Sequence, residues 1–347
     1  PNQAFIPVTE KTIRDHFRGL HVIGVYPMLE DETCSFLAVD FDKGEWRDDV
    51  AAFTATCRSK DMPFAVERSR SGDGAHVWFF FKSLVPAGIA RKMGCCLITE
   101  TMAQRHELSM ASYDRLFPNQ DTMPRGGFGN LIALPFQNGP RQQGNSVFVD
   151  ETWTPYPDQW AFLAAILRVT PGQVEGLVLE AQTKGQVLGV SMSEFSDEEG
   201  SDSPWRRRPS RRTAKLIITE PLPTRVRSVL SQLVFVETTG LPSPLINQIK
   251  RLAAFQNPEF YKKQAMRLST ALTPRIISCA EDHPQHIGLP RGCLADLEEV
   301  LADLGVALEV DDQRTDGEFL DVCFRGELNP IQAQAVHALV EHDFGVF

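Results

Sequence analysis

Apolar and polar positions alternate through Phe36-Leu37-Ala38-Val39-Asp40-Phe41-Asp42, and the alternation ends on two carboxylates. Successive strand side chains point to opposite faces, so residues 34–41 predict a strand that places Asp40 and Asp42 on one face and Val39 and Phe41 on the other. Residues 46–59 follow with apolar positions at helical spacing. A short strand is expected at 63–68, then a turn at Ser71-Gly72-Asp73-Gly74, then a strand at 75–82 through Val77-Trp78-Phe79-Phe80-Phe81. Pro86 opens a helical stretch to about residue 106, in keeping with the preference of proline for the first helical turn. A segment rich in Asn, Pro and Gly leads to a last strand at 130–136.

That order, βαββαβ, predicts an α+β fold with the split-βαβ sheet of ferredoxin-like and RNA-recognition domains. Residues 1–30 add an N-terminal α/β element with a strand at 21–26. With spatial strand order 4-1-3-2, the end of the first strand abuts the starts of the third and fourth. Asp40 and Asp42, His76, and the stretch Asp121-Thr122-Met123-Pro124-Arg125-Gly126-Gly127 are thereby expected at one edge of the sheet. Asp114 competes with Asp121 for the place of third acid, and Asp121 is preferred for its spacing before the fourth strand.

The pattern breaks at 191–212, where an acidic block gives way to Trp205-Arg206-Arg207-Arg208-Pro209-Ser210-Arg211-Arg212. So polar a stretch reads as a flexible linker, whose basic half could touch a nucleic-acid backbone. It divides the chain into a domain at 1–180, a charged linker at 181–215 and a smaller α/β domain at 216–347. In the latter, 244–272 reads as helical with a break at Asn257-Pro258. A strand follows at 275–279, with helices at 294–304 and 330–342. No G-x-x-x-x-G-K-[ST] loop occurs anywhere.

Charge and cysteine content narrow the picture. A net charge of −10 speaks against a simple nucleic-acid coat, which is normally basic, but not against an enzyme with a local groove. No apolar run is long enough to span a membrane, so no membrane partner is expected. The seven cysteines include no C-x-x-C pair and lie mostly in apolar stretches, which fits a reducing, cytoplasmic setting. Cys279, His283, His286 and Cys293 form the one cluster that resembles a zinc set, with spacing that departs from the usual knuckles.

Two carboxylates on one strand face repel each other, and a divalent cation relieves that repulsion. Oxygen-only ligands favour Mg²⁺ or Mn²⁺. The turn into His76 offers backbone N–H groups and an imidazole suited to phosphate oxygens, and Gly72 and Gly74 permit close approach of a ligand. Arg68, Arg70 and Arg141 could neutralise phosphates. The stretch 255–264 mixes aromatics with lysines, as either a single-strand stacking surface or a core face beside a solvated face would. Metal and phosphate together point to nucleotide chemistry.

These motifs, with Arg68-Ser69-Arg70-Ser71 ahead of the turn, Phe117-Pro118-Asn119-Gln120-Asp121, and Gly126-Gly127-Phe128-Gly129-Asn130-Leu131-Ile132-Ala133-Leu134-Pro135-Phe136, resemble the archaeo-eukaryotic primase (primase-polymerase) superfamily. More narrowly the chain resembles the primase domain of TOTE conflict systems, over roughly residues 1–180. The resemblance implies templated nucleotidyl transfer, with Asp40, Asp42 and Asp121 as ligands of Mg²⁺ or Mn²⁺. It assigns the triphosphate to Ser71, Gly72, Gly74 and His76, with a looser assignment of Arg141. The implied partners are nucleoside triphosphates, a single-stranded template and a covalently fused helicase of the DEAD/DEAH type. Asn329-Pro330-Ile331-Gln332 resembles the approach to such a motor. With Pro1 in place of an initiator Met, the resemblance implies a fragment of a longer protein. The rival readings are a non-catalytic single-strand-binding adaptor, which needs no intact metal set, and a metal-dependent nuclease, which has less need of a triphosphate turn.

Overall fold

The computed structural model describes residues 7–42, 44–184, 218–315, 317–318 and 321–340. The elements of its first part are α1 (Glu10–Arg18), β1 (Gly24–Val25), β2 (Thr33–Asp42), α2 (Trp46–Ser59), β3 (Ala65–Arg68), β4 (Gly74–Pro86) and α3 (Ala87–Gln104). After a 3-10 turn at Met110–Asp114 come β5 (Leu116–Phe117), β6 (Ile132–Ala133), α4 (Asn138–Gln142), β7 (Val147–Val149), α5 (Gln159–Ala165) and α6 (Pro171–Lys184). The chain then gives β8 (Arg225–Leu230), β9 (Val234–Glu237), α7 (Ser243–Leu252), β10 (Ala254–Gln256), α8 (Pro258–Ala265) and β11 (Ile276–Ser278). It closes with β12 (Glu281–Asp282), β13 (His286–Leu289), α9 (Leu294–Asp303), β14 (Ala307–Asp312) and α10 (Pro330–Val340).

Five strands in the order β5-β2-β4-β3-β7 make the sheet of the first unit. Leu37, Val39, Phe41, Val77, Phe79 and Phe81 line one face and are buried. Helix α2 covers that face because Trp46, Val50, Phe53 and Cys57 repeat at helical spacing, and Phe53 meets Phe41 and Phe79 at ring distances of 5.2 and 6.2 Å. Helix α3 approaches closely at Gly94, where a Cβ would stand 2.8 Å from Leu116 and 2.9 Å from Leu37. The opposite face carries Ala38, Ala65, Trp78 and Phe148, capped by Ile132 and Phe136. The apolar cover stops short of Asp40 and Asp42.

The order of β2, β4 and β3 is the expected one, but the fourth place is not filled by 130–136. β6 pairs instead with β1 in a separate ribbon, and β5 takes the position beside β2. β7 adds an edge strand next to β3.

Two compact units emerge, and their boundary is not a single cut. Phe255–Ile277, expected in the second domain, belongs to the first unit with the residues up to Ile217, and Ile218–Ala254 with Ser278–Phe347 forms the second. The second unit has a sheet ordered β12-β13-β9-β8-β14, with β14 parallel to β8 and the other pairs antiparallel. Leu245, Ile246 and Ile249 of α7 and Leu297 and Leu301 of α9 fill its core. Of the expected linker, 181–184 continue α6, and the rest lies outside the described residues.

Candidate active site

Register builds the site. Asp40 pairs with His76 across β2 and β4, and His76 pairs with Glu67 across β4 and β3, so the three side chains form one row on one face. Glu67 is 1% exposed and accepts two hydrogen bonds, from Trp78 Nε1 at 2.9 Å and from His76 Nδ1 at 2.9 Å. With Nδ1 held there, His76 turns Nε2 toward Asp40 Oδ1, 3.6 Å away. Burial alone would lower the His76 pKa, but the Glu67 hydrogen bond and the charges of Glu67, Asp40 and Asp42 raise it above the ordinary value. For Asp40, burial pushes the carboxyl up and Asp42 adds to it, against the opposing pull of His76 and Arg115.

Arg115 completes the cluster. Its carbonyl accepts from Asp40 N at 3.0 Å, which fixes its backbone beside β2. Its Nη1 lies 3.3 Å from Asp40 Oδ2 and also pairs with Asp42 Oδ1. Both carboxylates therefore converge on one positive charge. They open onto a cleft of about 500 Å³ that Glu107, Ser109 and Ser112 also line.

The hairpin between β3 and β4 lies at the same end of the sheet. Gly72 takes φ +83°, and a Cβ there would stand 2.9 Å from the Asn145 side chain. At Gly74 a Cβ would come 2.6 Å from the Phe41 carbonyl, so only glycine lets the hairpin lie this close to β2. Ser71 Oγ accepts from Asp73 N at 3.2 Å and lies 3.2 Å from Ser69 Oγ. Arg68 Nε is buried without a hydrogen-bond partner, and its pairing with Ala75 puts the side chain on the face opposite Glu67 and His76. Arg141 is exposed on α4, where it donates to the Phe17 carbonyl at 3.4 Å.

Asp121 is not brought to this cluster. β5 runs antiparallel to β2, so the chain after Phe117 heads for the start of β2 rather than its end. There Met123 N donates to Glu32 Oε1 at 3.1 Å and Ala87 N donates to the Glu32 carbonyl at 2.9 Å. Asp40 lies seven positions along β2 from Thr33, roughly 23 Å at the usual strand rise. Asp121 is instead bound by Arg91, whose Nη2 donates at 2.9 Å and whose Nε donates to the other oxygen, and by Gln264 Nε2 at 3.1 Å. Burial alone would raise its pKa, but Arg91, Arg275 and Gln264 hold it down at about 2. Asp114 accepts from Arg275 N at 2.7 Å, and burial pushes its carboxyl up.

Two other expectations change. Phe260 is no stacking platform: it is buried, with the fully buried Arg275 guanidinium 4.2 Å from its ring centroid. Lys263 is engaged by Glu259 at 2.7 Å and Thr273 at 2.7 Å. In the second unit, Cys293 donates to the Leu252 carbonyl at 3.5 Å, and the His283 ring lies 5.5 Å from Phe235. Among the described residues no group of three or more His, Cys, Asp or Glu side chains is set to hold a metal ion. Among them, too, no helix is long and apolar enough to cross a membrane.

Sequence reading missed Glu67, Arg115 and Asn145. Glu67 had a signal: pairing Arg68 with Ala75 across the hairpin puts Glu67 opposite His76. Arg115 had none, because a two-residue strand carries no periodicity.

A sheet with a carboxylate pair converging on one guanidinium, a half-buried histidine held by a buried glutamate, and a glycine hairpin at one end defines an α+β domain. The sequence pattern of the TOTE conflict system, Archaeo-Eukaryotic Primase domain matches residues 1–177, and the chain belongs to this family. No curated protein matches the chain.

Proposed function

We propose that the first unit performs template-dependent nucleotidyl transfer, as primase or polymerase, with Mg²⁺ or Mn²⁺ held between Asp40 and Asp42. The observation that carries this reading is the convergence of both carboxylates on a single cation. A pair that shares one charge has the arrangement a bridging metal needs. Mg²⁺ commonly takes one or two carboxylates and fills its remaining positions with water and substrate phosphates, so a two-acid set fits. Bound there, divalent ions would lower the pKa of the attacking hydroxyl and stabilise the leaving pyrophosphate.

The chain's own residues then position the nucleotide. The hairpin at Ser71, Gly72 and Gly74 offers backbone N–H groups to the triphosphate. Glu67 holds His76 in one orientation and raises its pKa, which favours the protonated ring whose Nε2 can donate to a phosphate oxygen. Arg141 supplies exposed positive charge on the element preceding Asn145. A single-stranded template and a helicase joined to the same polypeptide complete the reading, after the family's resemblance.

The test is incorporation of labelled nucleotides on a single-stranded template with Mg²⁺ or Mn²⁺. Metal-dependent extension that disappears in Asp42→Ala is the expected result. Template cleavage without extension would favour the nuclease reading. Strand binding without either activity would favour the adaptor.

A further inference from the structure

Arg115 holds a position that a metal ion would contest. Its backbone is pinned beside Asp40, while its side chain is 30% exposed at the mouth of the cleft. Guanidinium nitrogens sit about 2.7–2.9 Å from carboxylate oxygens, whereas Mg²⁺ requires about 2.0–2.1 Å. A metal ion between the two carboxylates would compete with Arg115 for Asp40 Oδ2 and Asp42 Oδ1 and would repel its charge. With the metal absent, Arg115 relieves the repulsion between Asp40 and Asp42 and keeps them aimed at one point. With the metal present, like-charge repulsion drives the side chain off the pair, and its anchored backbone keeps it at the cleft.

We propose that Arg115 is a resident counter-ion for the Asp40–Asp42 pair, displaced by the divalent ion and then recruited by the phosphates of the incoming nucleotide. The inference rests on the metal reading above. It makes Arg115 a positioning residue with two roles: it competes with the metal in the free protein and assists substrate binding in the loaded one. Removing its charge then has opposite effects on the two ligands, tightening metal and weakening nucleotide. A purely structural arginine would weaken both or neither.

The experiment is a Mn²⁺ titration of the full chain without nucleotide, read by the electron paramagnetic resonance signal of free Mn²⁺. It compares the wild type with Arg115→Gln, Arg115→Lys and Asp42→Asn. Loss of a Mn²⁺ site in Asp42→Asn marks the site at the carboxylate pair; no such loss sinks the metal reading itself. Given that site, Arg115→Gln is expected to bind Mn²⁺ about three- to tenfold more tightly, the worth of one or two part-exposed ion pairs. Arg115→Lys keeps the charge and should stay near wild type. Equal or weaker Mn²⁺ binding by Arg115→Gln overturns the counter-ion role. Should Arg115→Gln fail to fold, Arg115→Met, uncharged and of similar reach, takes its place: tighter Mn²⁺ binding supports the inference, and equal or weaker binding overturns it. Steady-state incorporation then reads the second role. A nucleotide KM raised several-fold with kcat little changed is expected, and an unchanged KM removes the phosphate contact.

Discussion

The two ends of β2 hold the same chemistry to different effect. At one end, Asp40 and Asp42 face Arg115 and His76, and the Asp42 side chain is 39% exposed. Two acids share one guanidinium, and burial lifts the Asp40 carboxyl. At the other end, Asp121 has both oxygens bound by Arg91, with Gln264 closing the set, and its carboxyl is held at about 2. Fully satisfied pairs of this kind hold structure in place, whereas an under-satisfied pair at a cleft still has binding capacity to offer a ligand. The lesson is that an aspartate beside an arginine says little until its remaining lone pairs are counted.

The sharpest way to break this comparison is to remove one acid at each end. Asp42→Ala should reduce incorporation by about 10²–10³-fold or more while leaving the denaturant midpoint nearly unchanged. Asp121→Ala should do the reverse, with a loss of about 3–5 kcal/mol of stability from an unpaired buried Arg91. Parallel urea melts and incorporation assays check both. An Asp121 variant that melts like wild type yet incorporates nothing would return Asp121 to the catalytic set.

Acid titration separates the ends next. The folded-state pKa of Asp121, about 2, lies below its unfolded value of 3.8, so its contribution is present above 3.8 and is lost as pH falls toward 2. That window holds roughly 2 kcal/mol. The stability difference between wild type and Asp121→Asn should be flat from pH 7 to 5 and shrink between pH 4 and 2.

The smallest effect is expected at Glu67→Gln. Its carboxylate helps raise the His76 pKa above 6.5, so the stabilisation is complete below that pH and fades as pH climbs through the folded value. In the variant the His76 midpoint, followed by proton NMR, should move down. Incorporation should fall severalfold as the imidazole loses its fixed orientation. An unmoved midpoint would detach Glu67 from the site.

Much of the fold was legible where periodicity was strong. The amphipathic spacing at 46–59 coincides with α2, and the alternation ending at Asp42 with β2. The face shared by Asp40 and Asp42 followed from strand geometry, and the place of His76 at the same edge from the expected strand order. The misplacement of Asp121 has a physical origin: β5 is two residues long, inside a polar stretch, and offers no pattern against the apolar run at 130–136. The longer run was given the place beside β2, although it pairs with β1. Nor could periodicity show that α8 faces inward, because Phe260 is buried through a contact with Arg275, fifteen positions away.

That last contact bears on how such a gene can be rearranged. The family match closes at residue 177, yet the unit it describes is finished by Phe255–Ile277. A recombination joint at the end of the matched stretch would carry away the sheet, the hairpin and the carboxylate row. It would leave behind Gln264, which caps Asp121, Arg267, which pairs with Glu32 at 2.6 Å, and Arg275, which binds the Asn119 carbonyl. Because this primase unit is threaded twice along the polypeptide, it can be inherited intact only together with the stretch of the second unit encoded between its two parts.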